Sequence, residues 1–331
     1  MWFKKLTGFI EISPDNVRKN MHVDGINITS NVNGNSYQFG TFELISLQSL
    51  KLKLPNLSSY NDNIKICEVI ADIQKLHCDI NNYNALFQAA SQFNLLEMVG
   101  PHINPEAGID IYEYDHTQGP ACAIACGAGT IFRNYFVSIN GKTGQSKYDQ
   151  IDCLKEIGKF FNNENCHLWK MSNGYALLDD TGLGNITSQI NSMTFEEREY
   201  LKGLLNIGLQ WNTQVTLSEK FQVVNQAYCS ALPVAYSNID STYFESFARL
   251  ILEATYEATL YAAMINLQKN GCNKVYLTLV GGGAFGNKLQ WITDSLMMAV
   301  RKFKNTPLDI KIVSYNRSNL KLKEIIDNFN I

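Results

Sequence analysis

Four glycines fall within six residues at Gly281-Gly282-Gly283-Ala284-Phe285-Gly286, and Asn287 follows them. A β-rich run at residues 274–280 precedes this loop. An apolar-patterned helix over residues 288–304 follows it, and then a strand-like run over residues 308–315. Upstream, residues 242–269 read as a long apolar helix that stops at Asn270-Gly271. Helix, strand, glycine loop, helix, strand is an α/β unit, which predicts a mostly parallel sheet. A glycine turn between strand and helix sets bare backbone N–H groups beside a helix N-terminus, which suits a phosphate. A tight turn with no ligand is the plainer alternative. Two familiar phosphate motifs do not account for the loop. Gly281, Gly283 and Gly286 match G-x-G-x-x-G, but a dinucleotide fold needs further βα units, and only residues 317–331 follow the last strand. The Walker pattern fails because Asn287-Lys288-Leu289 supplies neither the lysine in place nor the hydroxyl.

Composition narrows the classes. The chain has 331 residues, 45% of them hydrophobic and 18% charged, so it can bury a sizeable core in about two domains or one decorated domain. A net charge of −3 gives no electrostatic reason to expect nucleic acid or an anionic membrane as partner. No apolar run approaches the roughly 20 residues of a membrane span. The start, Met1-Trp2-Phe3-Lys4-Lys5, lacks a continuous apolar signal region, so a cytoplasmic protein is expected. The eight cysteines form no Cys-x-x-Cys pair, and Cys122 and Cys126, at helical spacing among alanines, read as buried thiols. The five histidines are scattered, and neither a metal nor a cofactor is expected.

Residues 1–63 read as strands and turns, with a hairpin around Asn33-Gly34 between runs at residues 26–29 and 37–45. Residues 54–63 read as a polar connection. Strands are expected over residues 64–73 and 85–93, a hairpin at Asn173-Gly174, a helix opening at Thr194, and strands over residues 209–216 and 223–236. Thr242 and Glu245 have the spacing of a capping box for the long helix. Between the strand at residues 85–93 and the Asn173-Gly174 hairpin lies a small-residue helix, Ala121-Cys122-Ala123-Ile124-Ala125-Cys126, with Pro120 in its first turn. Ahead of that helix, residues 104–120 concentrate Glu106, Asp110, Glu113, Asp115, His116, Thr117 and Gln118. Loops of this kind beside a packed helix often line a site, although a solvated acidic loop is the simpler reading. Gln92, Asn94 and Glu97 follow an apolar strand, where α/β folds place ligands.

In this order along the chain, the segments resemble the macrodomain superfamily of ADP-ribose-binding proteins. Ala71-Asp72-Ile73 looks like its Gly-Asp-Ile. Ala85-Leu86-Phe87-Gln88-Ala89-Ala90-Ser91 is similar to the strand ending in Asn-Ala-Ala-Asn, with Gln88 and Ser91 at the asparagine positions. Residues 224–233 resemble the later Leu-Pro strand. Gly281 to Asn287 is closest to the Gly-Ala-Phe-Gly phosphate loop of poly(ADP-ribose) glycohydrolases. The chain also looks like a divergent MavL-like subfamily of effector ADP-ribosyl hydrolases that act on modified ubiquitin. The glycohydrolase Gln-Glu-Glu run is absent, and Thr117-Gln118-Gly119-Pro120 stands near its place.

The resemblance implies a three-layer α/β/α mixed sheet over residues 64–331, with a β-rich extension over residues 1–63 and an α+β insertion near residues 141–220. It implies that Asp72 and Ile73 hold adenine and that Tyr315 lies against it. Asn94 would contact ribose, with Thr117 and Gln118 beside it. Gly281, Gly282, Gly283, Ala284, Gly286 and Asn287 would hold the diphosphate, and Phe285 would cover the distal ribose. It also implies a catalytic carboxylate, with Asp115 the first choice, then Glu106 and Asp110, then Glu97. The function expected is removal of ADP-ribose from a modified protein, in the cell's own cytoplasm or in a host cytosol for a secreted effector. The rivals are a non-catalytic ADP-ribose reader and a protein-interaction module.

Overall fold

The computed structural model describes residues 1–54 and 56–330. Pro55, in the expected polar connection, lies outside the described residues. Seven strands form the central sheet: β1 (Thr41–Ser46), β2 (Lys65–Ile70), β3 (Leu86–Ala90), β4 (Asn206–Gln214), β5 (Val223–Cys229), β6 (Lys274–Leu277) and β7 (Asp309–Ser314). Their order is β1-β4-β5-β3-β6-β7-β2. β4 runs antiparallel to both β1 and β5, and all pairings from β5 to β2 are parallel. Five C-terminal strand ends therefore share one edge, which is where an open α/β sheet leaves a crevice.

The helices that matter for the site are α1 (Ile73–Cys78), α2 (Gln118–Ala125), α3 (Gly127–Tyr135), α4 (Glu245–Asn270), α5 (Leu289–Lys302) and α6 (Leu320–Asn330). Side-chain alternation along the strands shows the three layers. On β5, Asn225 and Cys229 meet Asn266 and Thr259 of α4. Gln226 donates to Cys122 O of α2, and Tyr228 lies under Arg133 of α3. On β3, Gln88 reaches Thr259, while Phe87 stacks on His77 of α1. A strand buried on both faces carries apolar or hydrogen-bonded side chains throughout, and every residue of β5 is buried.

Several local expectations change. Residues 1–63 are not only strands and turns: helices span Trp2–Thr7, Pro14–Asn20 and Leu47–Lys53. Ser13 caps the second ahead of Pro14, and Ser46 caps the third. The strand expected at residues 37–45 breaks at Gly40, whose φ is 78° and whose hypothetical Cβ would lie 1.8 Å from Trp211 O. Its second half, β1, joins the central sheet, so the sheet crosses the boundary expected at residue 63. β4, from the expected insertion, is also a sheet strand. The strand of residues 64–73 ends at Ile70, the one over residues 85–93 at Ala90, and the one over residues 223–236 at Cys229. The small-residue helix is two helices, broken at Cys126. The capping box at Thr242 does not form. Asp240 accepts from Thr242 N and Oγ1 and caps a short 3-10 turn, and α4 begins at Glu245 with no side-chain cap.

The hairpin Trp169–Ser172 with Tyr175–Leu178 closes at Asn173-Gly174 as expected, and a helix opens after Thr194, which forms a capping box with Glu197. Cys122 and Cys126 are buried, and the eight cysteines are free thiols. A second apolar cluster, including Phe3, Leu6, Val17, Ile28 and Phe39, seats the N-terminal segment on α2 and α3.

Candidate active-site cleft

Two cavities open at the shared strand edge and meet along Asp115, Thr117, Gln118, Thr278 and Leu279, which line both. The larger encloses about 1120 Å³ and is lined by Asp72, Ile73 and Tyr315. The smaller encloses about 230 Å³ and is lined by Ser91, Gln92, Glu97, Gly281, Gly283, Ala284 and Phe285.

The glycine loop turns between β6 and α5. Gly281 and Gly286 take left-handed φ of 76° and 70°, which glycine adopts without strain. The amides of Gly282, Gly286 and Asn287 bond within the loop, to Leu279 O, Gly283 O and Gly281 O. Among the described residues, the successive amides of Gly283, Ala284 and Phe285 donate to no protein group. Consecutive unpaired amides beside a helix N-terminus make a concave anion site. Gly282 lines neither cavity, and a Cβ there would lie 3.1 Å from Ile292 Cδ1, whereas Gly283 faces open space. Asn287 is buried, does not line the cleft, and ties the loop to Leu232 O and Gly281 O through Nδ2.

Glu97 is the most constrained acid of the cleft. It is 3% exposed, its amide donates to Tyr112 Oη at 3.0 Å, and its Oε1 has no hydrogen-bond partner among the described residues. Gly119 makes room for it, since a Cβ there would fall 2.2 Å from Glu97 Oε2 and 2.0 Å from Ala90 O. Burial pushes the Glu97 carboxyl well above the usual carboxylate range. The Arg133 charge opposes that rise, and the Asp115 charge adds to it. Arg133 is itself fully buried, 3.5 Å over the Tyr228 ring, with Nη1 unpartnered among the described residues. Asp115, half-buried, accepts from Thr117 N at 2.9 Å and lines both cavities.

The other expected residues divide. Gln118 lines the cleft and clamps the end of β3, accepting from Ala90 N and donating to Gln88 O. Asp72 caps α1 through Gln74 N and Lys75 N and lines the larger cavity. Tyr315, two-thirds exposed, forms part of the same wall.

Three residues lie elsewhere. Asn94 is fully buried outside the cleft, donating to Gln150 Oε1 and accepting from Leu96 N, because the chain turns inward at Leu95 with φ 63°. Ser91 and Gln92 line the cavity in its stead. Glu106 lies in a separate groove and accepts from Lys147 N. Asp110 accepts from Phe3 N, outside both cavities.

Four residues that sequence reading passed over join the site. Tyr175 and Tyr236 surround Phe285, with ring centroids 5.2 and 5.8 Å from it, and Tyr175 donates to Met98 O. The Asn173-Gly174 hairpin was legible, but its reach to the glycine loop was not. Thr278 and Trp2 line the larger cavity. Among the described residues no three His, Cys, Asp or Glu side chains gather as a metal site, and no helix is long and apolar enough to cross a membrane.

No family model matches the chain, and no curated protein does. Among solved structures it is similar to poly(ADP-ribose) glycohydrolase from Thermomonospora curvata bound to the inhibitor ADP-HPD, at 9% identity and a TM-score of 0.46 over 95% of each chain. It is also similar to poly(ADP-ribose) glycohydrolase from Deinococcus radiodurans in complex with ADP-ribose. There the identity is 10% and the TM-score 0.47, over 86% of this chain and 91% of that one. With TM-scores below 0.5 this likeness assigns no activity.

Proposed function

We propose that the protein is an ADP-ribosyl hydrolase that frees ADP-ribose from a modified protein. The observation that carries this reading is the meeting of three unpaired amides, Gly283 to Phe285, with the Glu97 and Asp115 carboxyls around one cavity. The amides take the diphosphate. Adenosine lies in the larger cavity toward Asp72 and Tyr315, and the distal ribose lies beneath Phe285. Breaking the bond at that ribose passes through an oxocarbenium-like state. Glu97, whose buried carboxyl favours the neutral acid, donates a proton to the departing atom. Asp115, at the junction of the cavities, faces the developing positive charge and takes the proton of the attacking water. A carboxyl whose proton affinity is raised by burial is suited to the acid role.

The test incubates the protein with substrates mono-ADP-ribosylated on arginine, serine and glutamate, ADP-ribosylated ubiquitin among them, and follows free ADP-ribose. Release from any one supports the reading. No release, with calorimetric binding of ADP-ribose intact, would make the chain a reader. Asp115→Ala is expected to lose turnover about 100- to 10,000-fold while keeping ADP-ribose affinity. Gly283→Glu, which sets a carboxylate in open space beside the unpaired amides, is expected to abolish binding with an unchanged melting temperature.

A further inference from the structure

The larger cavity has an aromatic wall that comes from outside the central sheet. Trp2 opens the first helix, whose Phe3 and Leu6 are buried in the N-terminal apolar cluster. Trp2 itself is only half-buried, and it lines the same cavity as Asp72, Ile73 and Tyr315. Its indole is fixed at two points. Nε1 donates to Ile109 O at 3.2 Å. The six-membered ring lies against the start of α3, where Gly127 has no side chain, and a Cβ there would come within 2.7 Å of Trp2 Cζ3. An indole whose only donor is already satisfied has nothing left to offer but its π face and edge. A large aromatic surface in an open cavity, with its polar atom spent on the backbone, offers a stacking face to a flat heteroaromatic ligand and nothing to a phosphate.

We propose that Trp2 is a purine-binding residue, so that the N-terminal helix completes the adenosine end of the cleft. This rests on the reading of that cavity as the nucleoside side, and it adds the segment that selects the base. Tyr112, which also lines this cavity, is buried, whereas the exposed Tyr315 comes from the turn after β7, so the purine meets one ring from the sheet and one from the N-terminal helix. A ligand lacking the base would gain nothing from Trp2.

The protein has four tryptophans, and Trp169, Trp211 and Trp291 are buried at 4, 6 and 2% exposure and line neither cavity. A ligand-induced change in tryptophan emission is therefore assigned to Trp2. The experiment titrates the full chain with ADP-ribose, AMP and ribose 5-phosphate, following tryptophan emission and calorimetric heat, for wild type, Trp2→Phe and Trp2→Ala. The expected result is quenching by ADP-ribose and AMP but not by ribose 5-phosphate, and loss of that quenching in both variants. Affinity for ADP-ribose should fall about tenfold in Trp2→Ala and less in Trp2→Phe, which keeps a ring. If wild type binds ADP-ribose by calorimetry without a change in emission, and Trp2→Ala binds it equally well, Trp2 is not a ligand residue and the cleft reading survives. If wild type binds none of the three ligands, the cleft reading and this one fall together. A melting curve for Trp2→Ala separates loss of contact from unfolding: weaker binding by a variant that melts more than a few degrees lower counts against the contact unless Trp2→Phe, melting as wild type, loses the quenching.

Discussion

Buried carboxyls occur in two places, and the protein treats them in opposite ways. Between α4 and the helix Phe195–Gly203, Glu253 and Glu257 are 5 and 3% exposed, yet cations surround them. Arg198 grips Glu253 with two hydrogen bonds, at 2.5 and 2.8 Å. Lys202, itself buried, lies 3.3 Å from Glu257 and 3.6 Å from Glu253 and bonds Glu199, while Lys51 and Lys302 reach Glu257 at 2.9 and 2.5 Å. These partners outweigh desolvation and hold the Glu257 carboxyl below its usual range, with Glu199 lowered to about 2. In the cleft, Glu97 is as buried, but among the described residues no cation forms an ion pair with it and one of its oxygens has no partner. Its proton affinity rises instead. Burial alone does not set a carboxyl's role; what surrounds it decides whether it becomes a fixed charge that holds helices together or an acid held ready in a cavity.

The contrast is tested most severely at the cleft. Glu97→Gln removes the transferable proton but keeps the shape and a neutral group. Turnover should fall about 100- to 10,000-fold with the melting temperature equal or higher. Single-turnover release of ADP-ribose beside a melting curve decides it: near-normal release moves the acid role away from Glu97.

In the helix network the opposite is expected. Lys202→Met leaves three carboxylates with one fewer cation at the centre, and breaking a buried pair costs about 3–5 kcal/mol. Chemical denaturation would measure that loss, while ADP-ribose affinity, governed by the far edge of the sheet, stays as in wild type. A cost under about 1 kcal/mol, no more than an exposed ion pair is worth, would mean that Lys51 and Lys302 suffice.

A smaller effect tests how the cleft wall is held. Glu68 on β2 accepts from Ser314 Oγ, Ser318 Oγ and Asn319 N, and so ties down the turn that carries Tyr315. Glu68→Ala should cost about 1–3 kcal/mol, as for lost hydrogen bonds to a charged group, with part of it appearing as weaker ADP-ribose binding by calorimetry. Unchanged affinity would show that the turn holds its place without Glu68.

What the sequence revealed follows the same division between local and long-range causes. The glycine loop, the Asn173-Gly174 hairpin and the stop of α4 at Gly271 are written in neighbouring residues, and they form as read. The short N-terminal helices carry too few turns for periodicity to show. Asp240 displaced Thr242 as the cap because an aspartate two residues earlier captures the Thr242 amide and hydroxyl. The pairing of β1 with β4 joins segments more than 150 residues apart, which no local pattern announces. The site was harder still. Asp115 reads as the first choice among the acids and Glu97 as the last, yet Glu97 is the one whose proton affinity burial raises. That rise comes from burial, which Gly119 permits by admitting the Glu97 side chain, and it persists against the opposing charge of Arg133 on a separate helix. Asn94 matched by residue type, but the left-handed turn at Leu95 buries it.

The finest distinction between the two regions is the sign of their pH dependence. In the network, folding lowers the proton affinity of Glu199 and Glu257, so their contribution to stability is complete above the unfolded value near 4.5. It is lost as pH falls through the folded value, about 2 for Glu199. For Glu97 the folded value is raised, so its contribution is complete below about 4.5 and declines as pH rises through the folded value, because the unfolded chain then holds fewer protons than the folded one. Each tenfold change in proton affinity between the two states is worth about 1.4 kcal/mol. Melting curves from about pH 2 to pH 9 for wild type, Glu97→Gln and Lys202→Met should therefore separate the two, since they run from below to well above the unfolded value near 4.5. Glu97→Gln should gain on wild type as pH rises above about 4.5, since its amide has no proton to lose. Lys202→Met should show its largest deficit at neutral pH and converge on wild type as pH falls from about 4.5 toward the folded value, about 2 for Glu199. A constant offset between Glu97→Gln and wild type across the whole range would mean that Glu97 ionises alike in the folded and unfolded chains. The cleft would then hold a carboxyl that burial does not perturb, and the acid role would have to be sought in another group.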